Sequence, residues 1–142
     1  MISFFTQNIV YNLPERQRFR RWIHRILLSN NRRVYALNYI FCSDAFMQEM
    51  NRDYLGHDFC TDVLSFDHSD LYANGKISGD IYISIDTVVW NAQVYASSFE
   101  EELLRVMAHG LLHLLGFDDF DDEVSKVMRQ QEDCAIALFN VV

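Results

Sequence analysis

The run His109-Gly110-Leu111-Leu112-His113-Leu114-Leu115-Gly116-Phe117-Asp118-Asp119 decides how this chain is read. Its two histidines stand four residues apart, so on a helix both imidazoles lie on one face and can reach one metal ion. Gly116 is the residue type that ends a helix in a left-handed turn. A chain that turns back there brings Asp119 towards the same ion as a third ligand. Two nitrogens and one carboxylate oxygen suit Zn²⁺, at about one ion per chain, and leave a fourth position open for water. An open position belongs to a catalytic site. The spacing therefore predicts a hydrolase in which His109 and His113 act through a metal-bound water.

The competing reading is a pair of ordinary core histidines. The helix around them is apolar almost all round, with Leu103, Leu104, Val106, Met107, Leu111, Leu112, Leu114 and Leu115, and such a helix is mostly buried. Burying two imidazoles without partners would cost about 1–3 kcal/mol each. A glycine and a carboxylate also follow at metal-site spacing, which makes the ligand cluster the stronger reading. The spacing is similar to that of the metzincin proteases, which place a general-base Glu directly after the first His. Here that position is Gly110, which has no side chain to take a proton, and this argues against peptide hydrolysis by that mechanism.

The same residues, with the acidic run Asp121-Asp122-Glu123, resemble the signature of the YbeY family of metal-dependent bacterial endoribonucleases. A second block agrees: Asn51 through Tyr54, then Thr61-Asp62-Val63-Leu64-Ser65-Phe66, then Gly79-Asp80-Ile81. The resemblance covers nearly the whole chain. Three positions depart from it. Asp119 stands where the family usually has a third His, Leu55 where it usually has an Arg, and Asp67 where it often has a Pro. The resemblance implies a single-strand-specific endoribonuclease acting in 16S rRNA 3′-end maturation and ribosome quality control. Its partners would be single-stranded RNA, rRNA and the small ribosomal subunit, with no DNA and no membrane. It also implies a metal held in a cleft beside a sheet.

Two other classes remain open at this point. One is a zinc metalloprotease or other zinc hydrolase. The other is a non-enzymatic ribosome-associated factor whose structural metal takes a fourth ligand from His57, His68 or another carboxylate. No general base is obvious. Asp62 and Asp118 are candidates only because they stand in the blocks that carry the resemblance, and the alternative for either is a structural cap. Thr61 and Ser65 either contact phosphate or bond within the sheet, and Ser65 reads as structural.

With 142 residues, half of them hydrophobic and only one Pro, the chain is expected to form one domain over residues 1–142 with a substantial core. It has no apolar run approaching a membrane span, and its start lacks the basic end of a signal peptide. Cys42, Cys60 and Cys134 show no metal-site spacing and read as free thiols in a reducing cytoplasm. The net charge of −8 is awkward for a nuclease, because phosphate backbones attract basic proteins. The charges are unevenly spread, however. Arg16, Arg18, Arg20, Arg21, Arg25, Arg32 and Arg33 fall in the first quarter, while acids gather at Glu100 to Glu102 and Asp118 to Glu123. The arginines read first as a solvated helix face and second as a patch for RNA.

Patterning predicts strands over Ile2 to Val10, Val34 to Cys42, Phe59 to Phe66 and Ile77 to Ile85. Asn74-Gly75 is a turn signal between the last two, in a segment too long for a tight hairpin. Pro14 fits the first turn of a helix reaching Ser29, with Phe19, Trp22, Ile23, Ile26 and Leu27 at helical spacing. Ser43 caps a helix through about Tyr54, with Phe46, Met47 and Met50 turned inwards. A helix starting at Asp86 or Thr87 ends near Ala96. Ser98 and Glu101 form a capping box for the histidine helix, and a last helix runs from about Asp121 to Phe139. The expected fold is α+β, one mixed four-stranded sheet packed with about five helices, with the metal site in a cleft at the helix of His109 and His113.

Overall fold

The computed structural model of the protein describes residues 1–56, 61–69 and 75–142. The elements follow the order β1 (Ile2–Gln7), α1 (Arg16–Ser29), β2 (Val34–Cys42), α2 (Asp44–Leu55), β3 (Val63–Asp67), β4 (Ile77–Ser84), α3 (Ile85–Val94), α4 (Phe99–Leu114) and α5 (Asp122–Phe139). The four strands form one sheet in the order β1-β2-β4-β3. β2 pairs in parallel with β1 and with β4, whereas β3 runs antiparallel to β4 at the edge. The architecture is thus the expected mixed α+β one, with five helices among the described residues.

Side-chain alternation gives the sheet two different faces. Ile2, Phe4, Leu37, Tyr39, Phe41, Ile77, Ile81 and Ile83 point to one side and form the main core with α1, α4 and α5. Trp22 is completely buried there, its indole N–H donating to the Ala135 carbonyl at 2.7 Å. Cys42 and Leu64 point to the other side, where Met47 of α2 is buried and Phe46, Met50 and Tyr82 are half-buried around them. Helix α4 touches β3, β4, α3 and α5. Being packed on so many sides explains why it is apolar almost all round.

Local chemistry sets the ends of the elements. The strand expected to reach Val10 stops at Gln7, because Asn8 adopts a left-handed conformation with φ 57°. Pro14 lies before α1 rather than in its first turn: Glu15 takes the left-handed N-cap position and the helix begins at Arg16. Ser43, Ser84, Ser98 and Asp121 each accept a backbone N–H with the side chain and cap α2, α3, α4 and α5. The cap at Ser84 starts α3 at Ile85 and takes that residue out of the preceding strand. α3 ends at Val94, two residues short of the expected Ala96, which has φ 51°. The third strand begins at Val63 among the described residues, and the expected start at Phe59 lies outside them, as do His57, Cys60 and Asn74. Among the described residues no helix is long and apolar enough to cross a membrane.

Candidate metal centre

The histidine helix ends as its sequence suggests. Leu114 is its last residue, Gly116 has φ 101°, and the Phe117 N–H returns to the Leu112 carbonyl at 3.0 Å. This left-handed exit satisfies the last carbonyls of the helix and turns the chain back over the last turn of α4. The Nε2 atoms of His109 and His113 stand 2.9 Å apart. Asp119 Oδ2 lies 3.5 Å from His109 Nε2, and Oδ1 lies 3.9 Å from His113 Nε2. The three residues offer ligand atoms that all lie within 4.8 Å of one another. Ligands placed tetrahedrally at 2.0–2.1 Å from zinc stand about 3.3–3.4 Å apart, so the donor set and its spacing fit such an ion.

Glu132 is the part of this site that the sequence reading missed. It comes from α5, is only 5% exposed, and accepts from His109 Nδ1 at 2.7 Å. Arg105 donates to its other oxygen at 2.9 Å and to Asp133 Oδ1 at 2.9 Å. With Nδ1–H committed to a carboxylate, His109 presents Nε2 towards Asp119 and His113, the usual way an outer carboxylate orients a metal-binding imidazole. Burial alone would lower the pKa of His109, but the hydrogen bond and charge of Glu132, with Asp119 and Asp62 behind, raise it. Burial would raise the pKa of Glu132, but His109 and Arg105 bring it below the usual glutamate value. A sequence signal for Glu132 existed. It shares a buried face of α5 with Met128, Ala135 and Phe139, and a carboxylate in an apolar stripe needs a partner.

Asp62 also belongs to the site. It lines a recess of about 390 Å³ with Thr61, Ser65, His109, His113 and Asp119, and also a larger cleft of about 580 Å³. Burial holds its carboxyl above the ordinary aspartate range; the charge of His109 and backbone N–H groups oppose that shift, and Glu132 adds to it. Asp118 is used locally, its Oδ1 accepting the Asp119 N–H at 2.8 Å. The Ser65 hydroxyl donates to the Gly110 carbonyl at 2.9 Å, which ties edge strand β3 to α4. His68, weighed as a fourth ligand, faces Asp80 at 3.2 Å and is not part of the three-residue group.

Gly110 has a steric reason to be glycine. A Cβ there would stand 2.7 Å from Ile81 Cγ2, 2.9 Å from Val63 Cγ2 and 3.2 Å from Ser65 Oγ. The position therefore faces the sheet, and a glutamate would enter the core instead of a cleft. Gly110→Ala is expected to destabilise the fold by about 1–3 kcal/mol through overpacking. Urea unfolding measures this, and an unchanged midpoint would show that α4 has more room on the sheet than these distances allow.

The arginines of the first quarter have mixed roles. Arg18 lies 4.0 Å above the Phe139 ring and donates to the Phe139 carbonyl at 2.9 Å. Arg20 lies 5.2 Å above Phe4 and donates to the Ile2 carbonyl at 2.9 Å. Both cover the rim of the core, while Arg21 and Arg25 are exposed.

Comparison with known proteins gives a consistent result. A family model described as Endoribonuclease YbeY matches residues 5–140. An endoribonuclease YbeY from Cytophaga hutchinsonii is 45% identical over 137 residues, covering 96% of this chain and 94% of the relative. One from Flavobacterium psychrophilum is 44% identical and covers 99% of this chain and 98% of its own length. The solution structure of TM1509 from Thermotoga maritima superposes with a TM-score of 0.66 at 28% identity, covering 98% of this chain and 89% of that one.

Proposed function

This chain belongs to the endoribonuclease YbeY family, and we propose that it is a zinc-dependent nuclease that cuts single-stranded RNA. Its substrate would be the 3′ end of 16S rRNA and its setting ribosome quality control, with the small ribosomal subunit as partner. The observation that carries the reading is the convergence of His109, His113 and Asp119 within 4.8 Å, in an open recess against edge strand β3. When bound, the ion supplies Lewis acidity, which activates water and draws charge from a phosphoryl oxygen. An anionic third ligand moderates that acidity relative to three imidazoles.

The residues of the chain do the rest. Glu132 and Arg105 hold His109 in the orientation that leaves Nε2 free. Asp62, not needed as a ligand, lines the recess with the three ligands and is the carboxylate placed to take the proton from an attacking water. A peptidase reading is disfavoured, since the general-base position of the metzincin pattern is Gly110, which faces Ile81 and Val63. The 142 residues would act as one domain. Cys42, a buried thiol pushed up to about 12, and the exposed, unpaired Cys134 suit a reducing cytoplasm.

A zinc titration against a competing chelator tests the ligand set. Asp119→Ala is expected to weaken binding strongly and Asp118→Ala to leave it unchanged. Asp121→Ala removes the N-cap that accepts from Val124 at 2.8 Å and costs about 0.5–2 kcal/mol of stability without touching the metal. The same proteins are then given a single-stranded RNA and its duplex, and only the single strand is expected to be cut. Asp119→Ala binding zinc like the parent would overturn the ligand assignment. Cleavage of neither RNA by the zinc-loaded parent would overturn the function.

A further inference from the structure

The metal recess opens into the larger cleft of about 580 Å³, which runs between α4 and α5 to the end of α3 and shares Asp62, His109 and Asp119 with it. That volume is in the range of small-ligand sites, and the metal ligands occupy only part of the wall. Beyond them the wall carries acids, among them Glu101 and Glu102, which repel a phosphate unless a cation offsets them. Two cations line the cleft, Arg105 and Arg129. Arg105 is already committed, with Glu132 and Asp133 both at 2.9 Å. Arg129 is exposed, lies three residues before Glu132 on α5, and its charge acts on the Glu102 carboxyl in the same cleft without the two-carboxylate clamp that holds Arg105. Across the cleft stands Tyr95, the C-cap residue of α3, 69% exposed. A large ring left in water at the mouth of a polar cleft is a surface on which an unstacked base can lie.

We infer that this cleft is a subsite for one nucleotide of the RNA strand, flanking the bond to be cut, with Tyr95 stacking on the base and Arg129 meeting a backbone phosphate. The inference rests on the proposed RNA cleavage and assigns where the strand lies. It also gives a physical source for single-strand specificity, because a base paired in a duplex keeps its faces covered by its neighbours and cannot be offered to Tyr95. Trp90 supplies the control. It is on the same helix and 64% exposed, but it is not part of the cleft wall.

The test uses the zinc-loaded full chain and a fluorescent single-stranded oligoribonucleotide made resistant to hydrolysis by N3′→P5′ phosphoramidate linkages, which keep the backbone charge, read by anisotropy over a range of salt. Tyr95→Ala is expected to weaken binding at least about five-fold. Arg129→Ala is expected to weaken it and to lower the slope of log affinity against log salt by about 0.7. Arg129→Lys should recover most of that slope, and Trp90→Ala should behave as the parent. Zinc affinity, measured in parallel, should be the same in all variants, which separates a lost RNA contact from a damaged metal site. The subsite is overturned if Tyr95→Ala and Arg129→Ala bind as the parent does, or if Trp90→Ala is weakened as much as they are. A parent that cuts RNA while these variants stay parent-like removes the subsite alone. A parent that neither binds nor cuts RNA removes the function with it.

Discussion

His109→Ala and His113→Ala are each expected to purify without metal and without measurable RNA cleavage. The two Nε2 atoms are 2.9 Å apart and Asp119 closes the set at 3.5 and 3.9 Å, so either loss leaves two ligands where a catalytic zinc site needs three from the protein. The two replacements should differ in stability. His109→Ala strips the imidazole from Glu132, a carboxylate 5% exposed, and leaves a buried acceptor half-satisfied, a further cost of about 1–3 kcal/mol. His113 has no such partner among the hydrogen bonds of the site. Thermal unfolding of the metal-free proteins should therefore rank the parent and His113→Ala above His109→Ala. Glu132→Gln, which keeps an acceptor but loses the charge, should weaken zinc binding about 10- to 100-fold rather than abolish it. Elemental analysis and chelator competition measure both effects, and full metal occupancy in either alanine variant would contradict the site.

Asp62→Asn should keep the metal and lose the reaction. General-base catalysis is worth about 10²–10⁴ in rate, so kcat is expected to fall by that order while KM and zinc affinity stay near the parent values. The fold should tolerate the change, since the backbone carbonyl of Asp62, not its side chain, accepts the Ser84 N–H at 3.0 Å. Single-turnover cleavage with zinc-saturated protein separates the outcomes. A parent-like rate would show that another group takes the proton. A loss of zinc would show that Asp62 is needed to hold the ion.

The histidine helix was legible because its signals are local. The four-residue spacing, the glycine exit and the carboxylate beyond it act within eleven residues, and the backbone of a helix turns that spacing into a shared face. Glu132 was harder to see, because its role comes from the packing of α5 on α4 and from a partner 23 residues away. The arginines misled in a different way. Charge density along the chain does not reveal which guanidinium groups lie over rings, as Arg18 does over Phe139 and Arg20 over Phe4. The early end of β1 depends on Asn8 and the late start of α1 on Glu15, both left-handed. A side chain rarely takes that conformation, and no pattern of apolar residues signals it. Gly110 was read for what it lacks, a base; its place against Ile81 and Val63 explains why nothing larger stands there.

On the proposed function, the ion held by His109, His113 and Asp119 makes this chain an RNA-cutting enzyme. The most direct measurement strips the protein with a chelator and adds zinc back in steps while following cleavage of a single-stranded RNA. The stripped protein is expected to cut nothing, and cleavage to rise linearly and saturate at about one zinc per chain. Full cleavage by the stripped protein, or none at any zinc level, would contradict it.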